Sequence, residues 1–382
     1  MKKTVLSFAA MAMTLLSCNA NAADGKDGNV SFSGQLKGFK DTILVVVPTA
    51  DGRMKCDTVL VKDGKFQFTV NVDKPCDIYA YTPATARRQE NVSLRAIAVP
   101  GEKAELSGDL SSSFYFSGSK FYQEYNEADR AADAAKAPLY AFVKSLEDRL
   151  KAGEDRNAVM DEYGKKAPEL QKQASQGVLD FIAKHPSSEA AAAFVVTLEN
   201  LEDMKKAAGL LSESVKNGRM RDYYQKTIDR AQQAADAEAA AAKKQAAGVV
   251  APDFTLNDIN GKALSLSSLK GKYVVLDFWG SWCGWCIKGF PKMKEYYNKY
   301  KGKFEILGID CNDTQDKWKA AVQKHELPWL HVYNTRDSKV LADYAIQGFP
   351  TKIIVGPDGK IVKTVVGEDP SFYTFLDEKF GK

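Results

Sequence analysis

Two cysteines, Cys283 and Cys286, stand where a nearly continuous apolar run from Lys272 to Trp279 gives way, through Gly280-Ser281-Trp282, to a helical pattern. A thiol at the start of a helix faces unpaired backbone N–H groups and the positive end of the helix dipole, both of which favour its ionised form. Cys283 is therefore expected to be the nucleophile, attacking the disulfide of a partner to form a mixed disulfide. Cys286, one helical turn deeper, is expected to release the partner by attacking the Cys283 sulfur. Trp279 reads as core, whereas Trp282 and Trp285 read as an apolar rim against which a substrate chain could pack.

A lone Cys-x-x-Cys can equally be half of a zinc site, but zinc needs three or four ligands. The other cysteines are Cys18 near the N-terminus, Cys56, Cys76 and Cys311, and the histidines are His185, His325 and His331. None forms a second paired motif, so no metal is expected, and no cofactor. The 53 basic and 49 acidic side chains nearly cancel to +4. Without a basic block, nucleic acid is excluded as a partner.

The elements around the dithiol fall into compositional zones. Residues 25–115 alternate polar and apolar positions, as in Asn29 to Leu36, with Asp63-Gly64 as a hairpin turn. They predict an N-terminal antiparallel β domain, a sandwich or barrel-like sheet. Residues 118–247 are rich in alanine, glutamate, lysine and glutamine and predict a helical middle region. Leu139, Val143, Leu146 and Leu150 form an apolar stripe, and His185-Pro186-Ser187-Ser188 ends one helix and caps the next. Its alanine-rich end, 234–247, reads as an exposed spacer or lever. Residues 250–382 alternate strands and helices, the α/β layer arrangement.

With those residues in view, segment 250–382 resembles the thioredoxin superfamily, and within it the exported TlpA- and ResA-like branch. Ala251-Pro252-Asp253-Phe254, the Trp-Cys-x-x-Cys, Gly348-Phe349-Pro350-Thr351 and Pro357-Asp358-Gly359-Lys360 carry the resemblance. It implies a C-terminal α/β thioredoxin-like domain and a thiol–disulfide oxidoreductase activity. It also implies that Pro350 is a cis-proline, with the backbone at Phe349 pairing to an extended substrate beside Cys283. Asp277 corresponds to a buried acid that takes the Cys286 proton, the alternative being a structural aspartate at a strand end. Pro291 corresponds to a helix-kinking proline with a structural role. The chain departs from the pattern twice: Trp285 replaces the usual proline before the second cysteine, and Gly289 stands where ResA-like proteins carry a glutamate. A peroxidase is the nearest rival, but the residues before Cys283 lack the proline and threonine of peroxiredoxins. The zones before 250 resemble the modules fused to such domains in Bacteroidetes lipoproteins.

The N-terminus predicts the compartment. Lys2 and Lys3 precede an apolar stretch, Val5 to Leu16, shorter than the roughly 20 residues of a spanning helix. Residues 1–22 read as a signal peptide. Leu15-Leu16-Ser17-Cys18 resembles a lipobox with Cys18 as the lipidation site, and Ala20-Asn21-Ala22 offers an ordinary cleavage site instead. The protein is thus expected to be exported, periplasmic and membrane-anchored through a lipidated cysteine. An oxidising compartment permits a structural Cys56–Cys76 disulfide, with two separate buried thiols as the alternative. Cys311 reads as a buried, inert thiol.

The expected reaction is reduction of disulfides in periplasmic or outer-membrane client proteins. The electron donor is unidentified, a membrane thiol–disulfide transporter being one class of source. The alternatives are a disulfide oxidase or isomerase, and a client-docking or homodimerising protein with an accessory thiol domain.

Overall fold

The computed structural model describes residues 29–49 and 51–381. Segment 1–22, with Cys18, lies outside the described residues. The chain divides into two compact units, the first ending at Gln232 and the second beginning at Gln233.

The first unit opens with β1 (Val30–Lys37), β2 (Thr42–Pro48), β3 (Met54–Leu60), β4 (Lys65–Val70) and β5 (Cys76–Tyr81). A single turn, α1 (Pro83–Ala86), then β6 (Ser93–Ala98), β7 (Lys103–Asp109) and β8 (Phe114–Gly118) follow. They form two sheets, β4-β1-β7-β8 and β3-β2-β5-β6. Phe32, Phe68 and Leu106 of one sheet and Ile43, Val45 and Ile78 of the other share one core, so the sheets are two layers of a sandwich. The sequence predicts antiparallel pairing throughout; β1 and β7 are instead parallel. β5 and β6 are laid down in the opposite sheet first, so β7 reaches β1 by a crossover rather than a hairpin. The Asp63-Gly64 turn forms, with both residues at positive φ, but its flanking strands diverge into different sheets.

That layering overturns the Cys56–Cys76 disulfide. Cys56 pairs with Val46 on β2, and Val46 pairs on its other side with Tyr79, so β2 separates the two cysteines. Two strand spacings are about 9.6 Å, beyond the roughly 7 Å limit for bridged Cα atoms. Cys56 also shares a face with Val46 and Tyr81, while Cys76 packs on the sandwich core. Cys76 is a free thiol, and burial first, then the Asp77 charge, push it up to about 11.

The helices are α2 (Lys120–Lys151), α3 (Arg156–Lys184), α4 (Glu189–Ala192), α5 (Leu201–Leu210), α6 (Glu213–Lys216) and α7 (Arg221–Lys244). α2 and α3 enclose a small core of Phe142, Leu146, Val159 and Ala167; of the expected stripe, Leu150 stays exposed and Phe142 fills the place of Val143. α3 stops at Lys184, and the Ser188 hydroxyl caps α4 by accepting from the Ala191 N–H at 3.2 Å. The sandwich core continues through these helices as far as Ile228, and the buried Tyr122 hydroxyl donates to the Ile97 carbonyl at 2.6 Å. α7 runs through the division at 232/233. The end of its alanine-rich tract is tied down within the second unit. There Lys244 Nζ donates to the Ala342 carbonyl at 3.1 Å and Gln245 Nε2 to that of Tyr344 at 2.7 Å.

The second unit contains β9 (Thr255–Asp258), β10 (Ala263–Ser265), β11 (Tyr273–Trp279), α8 (Gly284–Lys299), β12 (Phe304–Asp310) and α9 (Gln315–Lys324). It continues with β13 (Leu330–Tyr333), α10 (Val340–Asp343), β14 (Thr351–Val355), β15 (Ile361–Val366) and α11 (Ser371–Phe380). The sheet order is β10-β9-β13-β12-β11-β14-β15, with β11, β12 and β13 mutually parallel. β11 is central and covered on both faces, which explains its nearly continuous apolar run. Val274, Leu276 and Phe278 join Val340 and Tyr344 on one face. Val275 and Trp279 join Cys286, Phe290 and Met293 of α8 and Phe372 and Leu376 of α11 on the other. Asp277 alternates onto this second face. Among the described residues no helix is long and apolar enough to cross a membrane.

Candidate active site

The site sits at the carboxyl end of β11, where strand meets helix at the centre of the sheet. The connecting turn has no slack. At Gly280 a Cβ would overlap the Trp282 indole, which folds back so that Nε1 donates to the Cys311 carbonyl at 3.0 Å. The Ser281 N–H and hydroxyl donate to Asp313 Oδ2 and Oδ1 at 2.6 and 2.7 Å. The turn therefore delivers Cys283 to the N-cap of α8.

Cys283 and Cys286 are joined as a disulfide with Cα atoms 5.3 Å apart, and Cys286 is the more buried of the two. The Cys286 N–H donates to Cys283 Sγ at 3.2 Å. In the reduced protein the same N–H and the start of a 16-residue helix face a thiolate. Trp282 and Trp285 are 52% and 61% exposed beside it, and Lys288 Nζ lies 4.4 Å from the centre of the Trp285 ring. The Trp282 ring packs edge-on against Phe349 at 5.3 Å, and the Phe349–Pro350 peptide is cis. The loop with the proline is thus brought against the dithiol. Pro291 lies inside α8, which continues through it.

Asp277 is buried on the face of β11 that carries Val275 and Trp279, both of which cluster with Cys286. Burial, the largest effect, pushes its carboxyl up to about 6; Lys352 pulls it down and Glu368 pushes it up. Lys352 stands opposite Asp277 on β14, 3.8 Å from Oδ1, and binds Glu368 Oε1 at 2.6 Å. The Glu368 carboxylate fills the space beside Gly289 that a side chain there would need. Lys352, Glu368 and Asp313 were not singled out in the sequence. Lys352 alone left a trace, as a lysine inside the apolar strand Thr351–Val355.

Nearby buried groups have other roles. Cys311 is a free, buried thiol whose Sγ donates to the Ile309 carbonyl at 3.3 Å, and burial pushes it up, keeping it protonated. Burial and then the adjacent Asp313 push Asp310 up to about 8, while burial holds His331 down to about 4.

The fold and the site together define a thioredoxin-fold dithiol protein. Residues 247–364 match the AhpC/TSA family. The thiol-disulfide oxidoreductase ResA of Bacillus cereus is 38% identical over 127 residues, covering 33% of this chain and 73% of that protein. ResA of Bacillus subtilis is 38% identical over 121 residues, covering 31% and 67%. The solved thioredoxin domain of a thiol-disulfide oxidoreductase from Bacteroides vulgatus is 36% identical, covering 35% of this chain and 98% of that one, with a TM-score of 0.34. Through its C-terminal third the chain belongs to the ResA thiol-disulfide oxidoreductases.

Proposed function

We propose that this oxidoreductase works as an exported, lipid-anchored reductant of disulfides in client proteins of the periplasm or outer membrane. The observation that carries the reading is Cys283 at the N-cap of α8 with the Cys286 N–H directed at its sulfur. The Cys283 thiolate attacks one sulfur of a client disulfide, and the other client sulfur leaves and takes up a proton. Cys286 gives its proton to Asp277 and attacks Cys283 Sγ. The bond between Cys283 and the client breaks, the client sulfur departs as a thiolate that takes up a proton from solvent to become its second thiol, and Asp277 returns its proton to solvent. Two electrons pass to the client and the enzyme is left as the disulfide, which a membrane thiol–disulfide transporter would return to the dithiol. Phe349 and Pro350, with Trp282 and Trp285, form the seat of an extended client segment. The Leu15-Leu16-Ser17-Cys18 sequence supports the lipid anchor.

Insulin reduction with Cys283→Ser and Cys286→Ser tests the chemistry. Cys283→Ser should be inactive, and Cys286→Ser should accumulate mixed disulfides, in cells as well as in vitro. Full activity in Cys283→Ser would refute the mechanism. A protein that oxidises reduced substrates faster than it reduces insulin would reverse the direction.

A further inference from the structure

Lys352 is 1% exposed, and a buried ammonium demands a counter-charge. Two carboxylates are within reach, and it divides itself unequally between them: Glu368 Oε1 at 2.6 Å and Asp277 Oδ1 at 3.8 Å. Asp277 Oδ1 has no hydrogen-bond partner among the described residues. Glu368 reaches this position from the turn after β15, through space left open by Gly289. Gly289 lies within α8 without positive φ, so its backbone does not require glycine. What requires it is the carboxylate beside it.

We propose that Lys352 and Glu368 are positioning residues that keep Asp277 an effective proton acceptor for Cys286, Glu368 holding the ammonium close to Asp277 but off it. This rests on Asp277 being the acceptor. The groups acting on Asp277 are Lys352 from β14, Glu368 from the turn after β15 and Tyr373 from α11, and Cys286 of α8 packs with Val275 and Trp279 on the same face of β11. Cys311, beyond β12, feels its charge. On β12 the opposite residue is the uncharged Gly308, and beyond it on β13 stands His331, held neutral by burial. Lys352 and Glu368 are the ion pair in this set, and they act on Asp277 in opposite senses. If the ammonium bound Asp277 directly, the carboxylate would be a poor base; without the ammonium, it would stay protonated and be unable to accept.

The test is the pH dependence of mixed-disulfide resolution, followed by rapid mixing with a disulfide-bearing peptide. In the wild type the rate should fall on acidification with a midpoint near the Asp277 value of about 6. Glu368→Gln frees Lys352 to bind Asp277 and should lower the midpoint by about one pH unit; Lys352→Met should raise it by a similar amount. Gly289→Ala displaces the Glu368 carboxylate without changing any charge and should shift the midpoint as Glu368→Gln does. Should Lys352→Met fail to fold, the other two variants still decide the matter. A merely structural role would lower the rate at every pH and leave the midpoint in place; that result, or shifts of the same sign in Glu368→Gln and Lys352→Met, would overturn the proposal. Asp277→Asn separates the two levels. If it keeps the wild-type acid limb, Asp277 is not the acceptor; if it abolishes the limb while the other variants leave the midpoint unmoved, the positioning role alone fails.

Discussion

The Asp277 carboxyl must do its work in a place that disfavours its charge. Its native value of about 6 exceeds the ordinary 3.8, chiefly because of burial. Between those values the native state holds a proton that the unfolded chain has released, so stability falls as pH rises through this window and is level above it. At about 1.4 kcal/mol per pH unit, the cost above the window is about 3 kcal/mol. Asp277→Asn cannot ionise. Its stability relative to wild type should therefore grow by about 3 kcal/mol between roughly pH 4 and pH 7, whatever its offset at low pH. Urea titrations of the oxidised proteins at several pH values measure this; a difference that stays flat would mean that Asp277 titrates like an exposed aspartate. Such a cost at a residue on the β11 face that carries Val275 and Trp279, which cluster with the dithiol, is the kind of local conflict expected where chemistry is done.

At the scale of elements, the strand–turn–helix around Cys283 is held from outside by Asp313. Two short hydrogen bonds from Ser281 end on its carboxylate, and bonds to charged groups are worth about 1.5–3 kcal/mol. Asp313→Ala should cost that much in urea unfolding of the oxidised protein, and Asp313→Asn should cost less by keeping an acceptor. The emission of Trp282, whose indole is pinned to the Cys311 carbonyl on the same segment, should change with the alanine variant. A loss below about 0.5 kcal/mol would show that the turn holds itself. Asp313 also illustrates what could be read in advance. The dithiol was legible because its two residues, the buried strand before them and the helix after them are contiguous. Pro350 and Asp277 were legible through a family pattern. Asp313, Lys352 and Glu368 enter through strand register and loop path, which local spacing does not encode. The same blindness produced the Cys56–Cys76 pairing: each cysteine lies in a readable strand, but only the sheet order shows β2 between them. The parallel β1–β7 pair escaped for that reason too.

Each of the two units has its own cores: the first a main core running from Val30 to Ile228 with two small clusters beside it, the second the two clusters on either face of the dithiol sheet. All five tryptophans, Trp279, Trp282, Trp285, Trp318 and Trp329, belong to the second unit. Tryptophan emission therefore follows that unit alone, while far-ultraviolet circular dichroism also follows the helices and sheets of the first. Tyr122 provides a way to perturb the first unit only. Its buried hydroxyl ties α2 to the Ile97 carbonyl of β6, and Tyr122→Phe removes that hydrogen bond, a loss of about 0.5–1.5 kcal/mol. In urea the variant should show an earlier circular-dichroism transition and an unmoved tryptophan transition. Insulin reduction should remain at the wild-type rate below the onset of unfolding, because every group assigned to the chemistry lies in the second unit. If the tryptophan transition moved with the other, the two units would unfold as one cooperative body, and the first unit would have to be counted among the supports of the dithiol.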